Sequence, residues 1–135
     1  MLDFSNFSFI ALIVATLFNM ILGALWYHPR FLGGPWVDAQ GFREDALKPT
    51  PLSYLGTFLV ALLMSWVIGI FVQSLDVITI AQALQLGFFI WLGFIVSTHF
   101  SGIIWAKKPF EAYLIDISFY LLSIIGAAII FVLIP

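Results

Sequence analysis

The chain has no cysteine. Disulfides, thiolate metal sites and cysteine nucleophiles are excluded, and the redox compartment is left undecided. Charge is scarce too: 9% of the 135 residues are Asp, Glu, Lys or Arg, against about a quarter in soluble domains. Five residues are basic and the formal net charge is −2, so there is no basic surface to hold nucleic acid. The opening residues MLDFSNFSFI carry no positive charge and no small-residue cleavage site. The first apolar run therefore reads as a retained helix rather than a signal peptide.

What the chain has is hydrocarbon. Apolar residues make up 63% of it and the mean hydropathy is +1.14, so the bilayer is the expected solvent. A spanning helix needs about 20 mostly apolar residues. Four runs qualify: about Phe7 to Tyr27, Tyr54 to Val72, Ala81 to Trp105, and Phe110 to Leu133. Thr79, with Gln82 three residues on, is a capping signal for the third. Pro109 opens the fourth, where a missing N–H costs nothing. The sequence thus predicts an all-α integral membrane protein. It would be one domain over residues 1–135, with four transmembrane helices in an antiparallel bundle and one substantial loop, residues 28–53.

Arg30, Arg43 and Lys48 lie between the first two runs, and Lys107 and Lys108 between the last two. Basic residues mark cytoplasmic loops. Loops 28–53 and 106–109 are therefore expected in the cytoplasm and both termini outside. AKKPF is a minimal turn, which makes the last two helices neighbours. FREDALK, inside the long loop, has the pattern of a short amphipathic surface helix.

Ionisable groups within a bilayer are costly. Glu111 stands at the very start of the fourth run, while two fall deep within the runs, His99 and Asp116. Each lies roughly 10–12 Å from the Lys107–Lys108 turn at 1.5 Å per residue, which puts them at matched depth. Asn19 reaches a similar depth from the first helix, on a face with Ala15 and Gly23. Ser65 on the second helix approaches the same layer. Asn19, His99 and Asp116 are therefore expected to face one another as an intramembrane polar site. Two readings stay open for it: hydrogen-bonded glue between helices, or a proton relay or ligand contact. One histidine and one carboxylate fall short of a metal's three or four protein ligands, so no metal or other cofactor is expected. Ser97 and Ser101 flank His99, but residues two apart on a helix point to different faces. With no nucleophile in reach and no G-x-S-x-G elbow or phosphate loop, the protein is not expected to be an enzyme. Trp66 and Trp91 sit in mid-run, where tryptophan is unusual; each indole needs an acceptor if buried.

The stretch WYHPRFLGGPW ends the first run. Pro29 forces His28 out of helical geometry and stops the helix. Gly33, Gly34 and Pro35 suggest a turn that folds Trp36 back, with Trp26, Tyr27, Pro29 and Trp36 as an interface anchor. GALWYHPRFLGGPWVDAQGF resembles the signature of a family of small four-helix bacterial membrane proteins, filed as domain of unknown function seventeen-sixty-one. Gly23, Trp26, Tyr27, Pro29, Phe31, Gly33 or Gly34, and Trp36 fill its places, while His28 sits where its pattern varies. GFFIWLGF and KKPFEAYLIDISFYLL look like its third and fourth helices. The resemblance implies four membrane helices and no particular activity. The expectation is a small transport or solute-binding module, acting as a homo-oligomer; the alternative is an accessory or scaffold subunit of a larger membrane complex. Lipid is the expected surrounding in either case.

Overall fold

The structure, a computed structural model, describes residues 1–43 and 48–135. Among them are five helices and no strand: α1 Phe9–Trp26, α2 Gly33–Gln40, α3 Pro51–Ser74, α4 Ile80–Ala106 and α5 Phe110–Leu133. All but α2 are long and apolar enough to cross a membrane. The FREDALK stretch falls largely on residues 44–47, outside the described residues.

Local chemistry sets the ends. Ser8 caps α1 by accepting from the Ala11 N–H at 3.2 Å. α3 starts earlier than hydropathy alone implies, because Thr50 and Ser53 cap each other reciprocally and Pro51 takes the first helical position. Thr79 and Gln82 form the same reciprocal cap on α4. Gly41, at φ +68°, ends α2 in the left-handed conformation that suits glycine. α2 itself departs from the turn expected at Gly33–Pro35. The two glycines and the proline are the first turn of a helix, where proline's missing N–H needs no partner.

α5 is the centre, touching α1, α2, α3 and α4. The core lies toward one end. It joins Ala11 and Ala15 early in α1, Ile68 and Val72 late in α3, Ala83 early in α4, and Ile124, Ala127, Ala128 and Phe131 late in α5. Alanines there let backbones approach closely. Gly69 is closer still, since a Cβ on it would lie 2.3 Å from the Phe131 ring. The Asp3 N–H donates to Ser74 Oγ at 2.8 Å, tying the N-terminal segment to the end of α3. The other end is splayed. Residues 51–60 of α3 are all exposed, and residues 97–106 of α4 include no buried side chain.

α4 changes pitch midway, where Trp91–Val96 form a π-helical stretch. A wider turn displaces backbone carbonyls from their usual partners. Four successive ones, those of Gly93, Phe94, Ile95 and Val96, meet side-chain groups: the Ser97 and Thr98 hydroxyls, His99 Nδ1 and the Tyr113 hydroxyl respectively. In hydrocarbon such carbonyls would otherwise go unsatisfied.

Candidate functional site

The chain leaving α1 is bolted to α5. Pro29 keeps His28 from continuing the helix, and the backbone turns back on itself: Leu32 N–H donates to the Trp26 carbonyl, and Phe31 and Gly33 N–H to that of His28. The turn is so tight that a Cβ on Gly33 would lie 2.0 Å from the Tyr27 carbonyl oxygen. It brings three aromatic donors onto one segment of α5. Trp26 Nε1–H donates to the Ile115 carbonyl at 3.1 Å. The Tyr27 hydroxyl and Trp36 Nε1–H both donate to Asp116 Oδ1, at 2.5 and 2.9 Å. The Tyr27 ring meets Trp36 and Phe119 edge-on, at centroid distances of 5.8 and 5.4 Å. Burial, then the hydrogen bond to Asp116, pushes the Tyr27 phenol, one residue past α1, well above its ordinary range, so it stays a donor.

Asn19 is buried, as expected from its small-residue face, and it does meet Ser65. Its amide donates to Ser65 Oγ at 3.0 Å and its carbonyl accepts from Ser123 Oγ at 2.6 Å, joining α1, α3 and α5. His99 is elsewhere. Its Nδ1–H donates to the Ile95 carbonyl of its own helix at 3.0 Å, and its ring lies tilted against that of Tyr120, centroids 5.4 Å apart. The expected meeting of Asn19, His99 and Asp116 therefore needs correction. The three bond different partners, and His99 and Asp116 share no hydrogen bond or ion pair. The levels differ: Asn19 lies opposite Ser123, Asp116 opposite Tyr27 at the end of α1, and His99 opposite Tyr120. Among the described residues no three His, Asp or Glu side chains gather as a metal site. Trp91 Nε1–H finds its acceptor in the Ile117 carbonyl at 2.7 Å, whereas Trp66 lines an outer apolar groove with Phe9 and Leu12.

Between α1 and the splayed half of α3, with α5 as its floor, lies a cleft of about 760 Å³. Asn19 and Ser123 close its inner end, Tyr27, His28 and Pro29 stand at the exit of α1, and Met20, Val60, Met64 and Phe119 supply apolar wall. The sequence held only a weak clue to the Asp116 latch, a lone carboxylate in α5 and aromatic donors on the exit stretch, because it set Trp26, Tyr27 and Trp36 at the interface and Asp116 deeper. It held none to the cleft, which depends on how far α3 leans from α1.

Four long apolar helices around a polar-latched exit turn are consistent with a membrane protein. The chain matches the family described as protein of unknown function (DUF1761) over residues 10–132, nearly its whole length, and it belongs to that family. No curated protein and no solved structure matches it.

Proposed function

We propose that this is a non-enzymatic, four-span membrane protein that binds or moves a small solute through the α1–α3–α5 cleft. The cleft carries the reading. Its volume lies within the roughly 300–1,000 Å³ of small-molecule sites, and it has their composition, mostly apolar with a few polar groups. The four spans would form an antiparallel bundle with both termini outside the cytoplasmic membrane and the Trp26–Trp36 turn inside, following the basic residues. The latch to Asp116 would hold the cleft's mouth at the exit of α1.

A second reading, an accessory or self-associating subunit, is favoured by the outer face of α4. Gly93, Ser97 and Ser101, four apart, are all exposed there, and small residues at that spacing let a neighbouring helix approach. Native mass spectrometry of the protein from mild detergent separates the two. A small bound molecule is the expected result. A stable complex with another protein and an empty cleft would replace the first reading with the second. Orientation has its own test, since the natural chain has no cysteine. In right-side-out vesicles an impermeant maleimide is expected to label Ser5→Cys and spare Arg43→Cys and Lys107→Cys; the opposite pattern would invert the topology.

A further inference from the structure

We infer that the cleft takes an uncharged amphiphile from the membrane: a hydrocarbon body bearing one or two hydroxyl or carbonyl oxygens. This rests on reading the cleft as a solute site. No Asp, Glu, Lys or Arg lines it among the described residues. A carboxylate or phosphate in such a place would lose its hydration and meet no opposite charge, a cost that burial rarely tolerates. A sugar or other polyol would fare no better, because its many hydroxyls need many partners and the walls are mostly carbon.

Of the polar groups that line it, Tyr27 bonds Asp116, Ser53 bonds Thr50 and His28 Nδ1 accepts from the Arg30 N–H; the rest divide into two sets. Asn19 and Ser123, at the closed end, already satisfy each other. The hydroxyls of Tyr54, Thr57 and Tyr120 line the cleft and have no hydrogen-bond partner among the described residues. Three neutral hydroxyls set in an apolar wall match a ligand with one or two neutral oxygens. They can donate to a carbonyl or exchange bonds with a hydroxyl. The way in fits the same occupant. Residues 51–60 of α3 are exposed, so on the four-span reading the cleft opens sideways toward lipid as well as toward its end.

The test uses the full chain in phosphatidylcholine vesicles with a long-chain alcohol carrying a diazirine. After irradiation, adducts are expected on Met20, Val60 and Met64. Excess monoacylglycerol should remove them; the ionised long-chain carboxylate should not. Val60→Trp, at an exposed position on the wall, is expected to cut labelling about tenfold, with helical content and unfolding midpoint unchanged. Labelling spread evenly over Ile13, Leu17 and Phe89, or equal competition by the carboxylate, overturns the inference. If a water-soluble solute co-purifies instead and Val60→Trp weakens its binding, the ligand class falls and the cleft stands. If nothing binds and Val60→Trp changes nothing, both fall.

Discussion

Gly33→Ala is expected to undo the exit turn. The new Cβ would sit 2.0 Å from the Tyr27 carbonyl oxygen and 2.9 Å from the His28 carbonyl carbon. Both are backbone, and neither can rotate aside as a side chain would. α2 must move, and Trp36 moves with it, off Asp116. Overpacking against yielding side chains costs about 1–3 kcal/mol; against backbone, a loss of at least about 3 kcal/mol is expected. Unfolding in mixed micelles, followed by tryptophan fluorescence, measures it. A midpoint unchanged from the natural chain would mean the turn is looser than described.

Asp116→Leu is the second large effect. One carboxylate oxygen accepts from both Tyr27 and Trp36. Leucine leaves two half-buried donors without an acceptor, at about 1–3 kcal/mol for each such group. Partners found by the unfolded chain in a membrane reduce such figures, so a total of about 2–4 kcal/mol is expected. Asp116→Asn keeps an acceptor oxygen and should lose about 1 kcal/mol, since a neutral acceptor is weaker than a charged one. Equal losses for both variants would show that charge, not acceptance, holds the latch. Because Gly33→Ala and Asp116→Leu release the same contact, the double variant should cost little more than the worse single one. Simple addition would separate the turn from the latch.

The four long helices were legible because hydropathy runs survive any detail of packing, and the Thr79–Gln82 cap because it is local. Asn19 was legible as well: Ala15 and Gly23, one turn either side, mark a close-packed face, and Ser65 lay at its depth. α2 was hidden because Gly33-Gly34-Pro35 is turn chemistry in most settings. Docking of Trp36 on α5, 80 residues away in sequence, makes it the start of a helix here. His99 was misplaced for a different reason. The count put it level with Asn19 and Asp116, but it lies opposite Tyr120, and its inward direction depends on the pitch of its own helix.

That pitch is broken in α4. Ala83 and Gly87 are buried early in the helix. At 3.6 residues per turn the same side would reach Phe94, Ser97 and Ser101. Those residues are exposed instead, and Ile95, His99 and Gly102 turn inward. The helix is a screw cut in two and rejoined out of phase. One consequence concerns the surface left outside. Its first half offers Leu84, Phe88 and Phe89, and its second half sets Ser97, Thr98 and Ser101 among Phe94, Phe100 and Ile104. Ser97 and Thr98 spend their protons on the carbonyls of Gly93 and Phe94 in the same wide turn. Two of the three hydroxyls on that surface would therefore meet hydrocarbon with their donors already satisfied.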